Sequence, residues 1–203
     1  MTKRSNFDRL ISNLDPGKDY RRQINARESH IVILALHGGG IEPGTGKLAA
    51  GIAGSEYSLY VFEGTRLKNN WELHLPSTRF DDPSCLTLVT RTPVALSLHG
   101  CRGDTQITYI GGRHLQYASA IQRSLTQHGF LAEPVQDRHA GRHPENICNR
   151  CLSQRGVQLE LSRALRKEFF ISLDRQGRKH ETEAFHSFVS AVREGISNFD
   201  ISG

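Results

Sequence analysis

The chain has 203 residues, of which 37% are hydrophobic and 23% charged, so we predict a single globular domain over residues 1–203. The chain has no run of 18 apolar residues and no apolar signal segment at its N-terminus. We therefore expect no membrane helix and a protein that is cytoplasmic as made, whose release from the cell would need lysis or an unusual route. A net charge of +5 suits an anionic substrate, but the arginines are spread along the chain and form no basic arm.

The N-terminal half begins with a polar extension, residues 1–28, in which we predict a short helix at 5–14 and a turn at Asp15-Pro16-Gly17. A continuous apolar run at 30–36, rich in β-branched residues, predicts a buried strand that ends at His37. The remaining elements predicted for this half are a helix at 46–53, strands at 57–62 and 71–75, a helix at 84–91 that follows an Asp82-Pro83 cap, and a strand at 93–98.

The C-terminal half continues the alternation of strands and helices. We predict a strand at 106–110, a helix at 113–127, a strand at 130–135, a polar irregular stretch at 136–155, a strand at 157–161 and a helix at 181–196. This order is typical of an α/β fold with a mostly parallel sheet flanked by helices.

Two of the apolar strands end in a histidine that is followed by glycine: His37 before Gly38, and His99 before Gly100. The carboxyl ends of parallel strands share one edge of a sheet, where ligands bind, so both histidines are candidate metal ligands. Glu42 follows three glycines and can fold back towards them. Two histidines and one carboxylate form a catalytic zinc set with one position left open. The alternative is a solvated glutamate in a flexible loop.

Glu160 lies near the carboxyl end of the 157–161 strand, at the same predicted edge of the sheet. A carboxylate beside a metal-activated water can take its proton and pass it to the leaving nitrogen. The alternative is an exposed glutamate on an edge strand. Among the arginines, Arg150 beside Asn149 could hold a substrate carboxylate. Helical spacing explains Arg163 and Arg166 as surface residues.

The four cysteines do not form a disulfide framework. Cys148 and Cys151 have C-x-x-C spacing, but Cys85 and Cys101 form no second pair of the kind that a structural zinc site uses. We interpret Cys148 and Cys151 as two reduced thiols near a loop.

Four blocks in this order resemble the poly-γ-glutamate hydrolase family of bacilli and their phages, over about residues 31–168. They are His37-Gly-Gly-Gly-Ile-Glu42-Pro-Gly-Thr, Leu-Ser-Leu-His99-Gly, Asn146-Ile-Cys-Asn-Arg150 and Gly156-Val-Gln-Leu-Glu160-Leu. The resemblance implies a zinc-carboxypeptidase-like α/β domain with a mixed central sheet. It also implies one zinc ion on His37, Glu42 and His99, Glu160 as catalytic carboxylate, and Asn149-Arg150 as a carboxylate contact.

We therefore predict a zinc-dependent amide hydrolase that cleaves γ-glutamyl linkages, with Arg102 or another basic group helping to hold the oxyanion. A narrower alternative is a zinc deacylase or carboxypeptidase that acts on a small N-acyl amino acid or peptide. A third hypothesis, a non-catalytic basic protein that binds nucleic acid, leaves the two strand-end histidines unexplained. The chain also lacks the interleaved basic and aromatic residues that stack on bases. We accordingly expect neither a nucleic-acid nor a membrane partner.

Overall fold

The computed structural model describes residues 5–135 and 140–201. Residues 1–4 of the predicted N-terminal extension lie outside the described residues. So do residues 136–139, the start of the irregular stretch predicted at 136–155. Within the described part, no helix is both long and apolar enough to cross a membrane.

The described residues form one seven-stranded sheet, in the order β1-β3-β2-β4-β7-β5-β6. Its strands are β1 (Tyr20–Asn25), β2 (Ile31–Gly39), β3 (Ser58–Gly64), β4 (Val94–Gly100), β5 (Ile107–Gly112), β6 (Leu131–Pro134) and β7 (Val157–Leu161). β1 is antiparallel to β3 and β5 is antiparallel to β7, whereas the other neighbouring strands are parallel. The predicted single α/β domain with a mixed, mostly parallel sheet is confirmed.

Helices cover both faces of this sheet. They are α1 (Asn6–Ile11), α2 (Thr45–Ala53), α3 (Pro83–Val89), α4 (Leu115–Gln127), α5 (Arg163–Glu168) and α6 (Glu183–Ile201), with short 3-10 helices at Asn70–Leu73, Ile147–Arg150 and Gly177–Lys179. Alternate residues of β2 enter two separate cores: Ile33 packs with the α2, α4 and α6 side, and Leu34 with the side that holds Phe7 and Phe80. This two-sided burial explains why β2 is a continuous apolar run.

Two elements of the N-terminal half differ from the predictions. The prediction of a strand at 71–75 was wrong, because the chain forms the 3-10 helix Asn70–Leu73 there. Asn70 bonds the backbone of Arg66 in both directions, at 2.8 and 3.0 Å, and these local bonds replace a strand ladder. The second difference is β1, which the sequence did not predict. It is a mostly exposed edge strand, so its residues show no apolar alternation.

Candidate metal centre

His37 and His99 lie at the carboxyl ends of β2 and β4, which are adjacent parallel strands. The glycines after His37 turn the chain back sharply. Gly39 has a φ of 67°, and a Cβ there would lie 2.2 Å from the Gly64 carbonyl oxygen. The backbone N–H of Glu42 then donates to the His37 carbonyl at 2.7 Å. This closed loop brings the Glu42 carboxylate back to the histidine five residues earlier.

The three side chains converge on one buried point. His37 Nδ1 lies 3.1 Å from Glu42 Oε1 and 3.2 Å from His99 Nδ1, and His99 Nδ1 lies 3.7 Å from Glu42 Oε2. All three residues are buried, and one ligand atom from each lies within 4.8 Å of the others. The structure thus brings together the three residues that the sequence singled out.

The outer nitrogen of each histidine is already engaged. His37 Nε2 donates to the Leu75 carbonyl at 2.8 Å, and a carbonyl can only accept, so this nitrogen carries the proton. His99 Nε2 lies 2.9 Å from Ser97 Oγ and 3.3 Å from Ser77 Oγ. The bond to Leu75 leaves the Nδ1 lone pair of His37 facing His99 Nδ1, and the serine hydroxyls can accept from an Nε2–H of His99 that likewise frees its Nδ1 for a metal. Two lone pairs at this distance repel unless a proton or cation lies between them, so the donor set fits a zinc ion.

The electrostatics of the group favour an anionic glutamate facing its histidines. Burial would raise the pKa of Glu42, but His37 and its hydrogen bond hold that pKa well below its usual range. Burial lowers the pKa of His37. At His99 burial also acts to lower the pKa, yet the contact with Glu42 and the nearby Glu160 raise it overall. The Gly100 N–H adds a hydrogen bond to Glu42 Oε2 at 2.8 Å.

Glu160 stands on β7 directly beside His99, because β7 pairs in parallel with β4 at that register. β7 lies inside the sheet and Glu160 is 8% exposed, so the alternative of an exposed glutamate on an edge strand was wrong. Its Oε1 accepts from Gln158 Nε2 at 3.0 Å, and Gln158 Oε1 accepts from Asn146 Nδ2 at 2.9 Å. This chain of hydrogen bonds orients the carboxylate beside the metal group.

The three predicted substrate contacts occupy different environments. Asn149 is buried, and its amide donates to the Gly141 and His143 carbonyls at 2.7 and 2.9 Å and accepts from the Gly156 N–H at 3.0 Å. Arg150, the next residue, is half-buried at the end of its 3-10 helix. Arg102 is exposed in the loop that follows β4. The role of these residues towards a substrate stays a prediction.

Two aromatic side chains beside the site were not predicted from the sequence. His74 stacks on His37 with ring centroids 3.9 Å apart, and its Nε2 lies 3.5 Å from Glu42 Oε1. Trp71, which is 66% exposed, stacks on the outer face of His74 at 4.3 Å. Only the correct structure of this segment could have revealed them, because neither residue follows a strand end.

Arg166 corrects another interpretation. Helical spacing had placed it on the surface, but it is buried, and its guanidinium bonds three backbone carbonyls. The spacing does hold for Arg163, which is exposed.

The cysteine pair takes no part in the site. Cys148 and Cys151 are free, buried thiols within the core that contains Phe7, and burial raises the pKa of Cys148. Within residues 5–135 and 140–201, the one group found that could hold a metal is His37, Glu42 and His99.

The site and fold together define a chain with a candidate metal-dependent hydrolase centre, and comparisons with known proteins place it more narrowly. The poly-γ-glutamate hydrolase family model matches residues 4–191. The SPbeta prophage-derived UPF0714 protein YoqZ of Bacillus subtilis strain 168 is 35% identical over 198 residues, which are 96% of this chain and 72% of YoqZ.

Two solved structures are similar over nearly the whole chain. A bacteriophage poly-γ-glutamate hydrolase has a TM-score of 0.93 and 31% identity over 96% of each chain. The zinc-free apo form of YndL has a TM-score of 0.86 and 33% identity, and the match covers 93% of this chain and 94% of that one. The chain belongs to the poly-γ-glutamate hydrolase family, which confirms the resemblance seen in the sequence.

Proposed function

We propose that this protein is a zinc-dependent hydrolase that cleaves the γ-glutamyl amide linkages of poly-γ-glutamate. The observation that carries the proposal is the convergence of His37, Glu42 and His99 beside Glu160. Family membership supports the substrate class. The zinc-free form described for YndL, a relative 34% identical over 196 residues, supports zinc as the metal.

His37 Nδ1, His99 Nδ1 and the Glu42 carboxylate would hold the one zinc ion. When bound, zinc would polarise the scissile carbonyl and lower the pKa of water at the site. Glu160 takes the proton of the attacking water and delivers it to the departing nitrogen, acting first as general base and then as general acid. The hydrogen bond from Gln158 keeps the Glu160 carboxylate oriented for both transfers.

The charge of the chain suits this substrate. Every unit of poly-γ-glutamate carries a free α-carboxylate, and a net charge of +5 attracts an anionic polymer. Arg150 and Arg102 are our proposed contacts for these carboxylates and for the developing oxyanion. Asn149 would contribute indirectly, because its amide ties the Arg150 segment to Gly141, His143 and Gly156.

The substitution Glu160→Gln tests the mechanism, with Glu168→Gln as control on an exposed glutamate. We expect Glu160→Gln to keep its zinc and to lose roughly 100- to 10,000-fold in kcat on poly-γ-glutamate. The control should match the unsubstituted protein in both respects. Full activity in a zinc-loaded Glu160→Gln protein would contradict the role of Glu160.

The length of the substrate is tested by a parallel assay of the polymer and of small N-acyl glutamates, with products separated by size. We expect shortening of the polymer and little release from the small amides. Hydrolysis of the small amides alone would contradict the polymer substrate and favour the deacylase alternative.

A further inference from the structure

One buried guanidinium joins the three chain segments that carry the metal group and Glu160. Arg166 Nη1 donates to the Pro43 carbonyl at 2.8 Å, Nη2 to the Cys101 carbonyl at 2.9 Å and Nε to the Leu161 carbonyl at 3.1 Å. Pro43 directly follows Glu42, Cys101 follows His99 by two residues, and Leu161 directly follows Glu160. The three acceptor carbonyls therefore lie one or two residues after Glu42, His99 and Glu160, on three separate segments of the chain.

The side chain occupies this position without a salt bridge. Arg166 is 5% exposed, and across the described residues no carboxylate lies within ion-pair distance of it. Burial lowers the pKa of Arg166, and the more distant charges of Glu42 and Glu160 act against that shift. Removing a charge from water is costly unless its hydrogen bonds are made. The guanidinium spreads its donors over three nitrogens of a rigid plane, whereas the three donors of a lysine ammonium all leave a single nitrogen and do not match this spacing. Bonding backbone rather than carboxylate fixes the positions of the segments themselves.

Gly100 leaves the space through which Arg166 reaches these carbonyls. A Cβ on Gly100 would lie 2.7 Å from the Arg166 Cζ and 2.9 Å from its Nε, closer than real contacts allow. The residue has no left-handed φ, so alanine fits its backbone and would clash mainly with the guanidinium. The glycine after His99 is thus explained by the arginine that it accommodates.

We propose that Arg166 is a positioning residue of the site: it fixes the segments of Glu42, His99 and Glu160 relative to one another, so that the zinc ligands and the general base keep one geometry. This inference rests on the proposed zinc function. Removing contacts that orient metal ligands typically changes metal affinity 10- to 100-fold. Misplacing the base relative to the metal should lower kcat rather than raise KM.

The test measures zinc affinity of the metal-free proteins by competition with a chromophoric chelator, and kcat and KM after reloading with zinc. We expect Arg166→Met to bind zinc roughly 10- to 100-fold more weakly, with Arg166→Lys in between. Gly100→Ala should weaken zinc binding in the same direction. Gly100→Ala should add little in an Arg166→Met background, because both changes disrupt one arrangement. Lys167→Met, which removes an exposed charge from the same helix, should match the unsubstituted protein.

Urea unfolding of each metal-free variant shows which of them fold. If Arg166→Met does not fold, Gly100→Ala provides the test. The inference is overturned if folded Arg166→Met and Gly100→Ala proteins bind zinc and turn over like Lys167→Met. An unsubstituted protein that binds zinc but leaves poly-γ-glutamate intact contradicts the proposed function alone, since the affinities still decide the role of Arg166. An unsubstituted protein that takes up no zinc contradicts both.

Discussion

The substitution Ser97→Ala should weaken zinc binding through a histidine that it does not replace. Ser97 is fully buried, and its Oγ lies 2.9 Å from His99 Nε2. With zinc on Nδ1 the His99 proton lies on Nε2, and without Ser97 this N–H keeps only Ser77 Oγ, at 3.3 Å. Leaving a buried donor poorly satisfied costs about 1 to 2 kcal/mol. This free-energy cost destabilises the tautomer in which His99 offers Nδ1 to the metal. Zinc affinity should therefore fall by roughly 5- to 30-fold.

Chelator competition at fixed pH and salt measures this affinity, and Ser77→Ala serves as the matched control. Since its contact with His99 is longer, Ser77→Ala should have the smaller effect. Unchanged zinc affinity in Ser97→Ala, or a larger loss in Ser77→Ala, would refute the assignment of Nδ1 as the ligand atom of His99.

Three further predictions address the core, a thiol and an amide. Phe188→Ala should lower the free energy of unfolding by about 3 to 5 kcal/mol in urea titrations, because this ring is fully buried; Leu67→Ala, at a 95% exposed position, should change it by less than about 0.5 kcal/mol. Burial and then Glu160 raise the pKa of Cys101 to about 11, so iodoacetamide at pH 8 should label it about 100-fold more slowly than free cysteine, as followed by mass spectrometry; labelling at the free rate would count against this environment. Asn149→Asp should lose about 3 kcal/mol of stability, because a carboxylate would face two carbonyl oxygens; an unchanged urea midpoint with a raised KM would instead indicate direct substrate contact.

The sequence could predict the metal group because each histidine ends a locally recognisable buried strand. His37 and His99 lie 62 residues apart in the chain, but parallel neighbouring strands bring their carboxyl ends to one edge by topology alone. The prediction of Glu42 as the third ligand depended only on the glycine loop, which returns its carboxylate to His37. Burial of both faces of the sheet made β2, β4 and β7 visible as apolar runs.

The features that escaped prediction are those set by contacts distant in sequence or by side-chain bonding. Arg166 reaches a carbonyl 123 residues away, and nothing in its helical spacing distinguishes it from the exposed Arg163. Trp71 and His74 fell within a segment predicted as a strand. The side-chain bonds of Asn70 that fold this segment into a 3-10 helix cannot be recognised from the spacing of its apolar residues. Each of these residues is defined by a partner that only the folded chain supplies.

The zinc site itself is tested most directly by the metal content of protein purified without a metal-binding tag, measured by elemental mass spectrometry beside His99→Ala. We expect about one zinc per chain in the unsubstituted protein and little in the variant, since two remaining ligands are too few for a stable site. Absence of stoichiometric metal in the unsubstituted protein, with no uptake when zinc is added, would contradict the proposed zinc hydrolase.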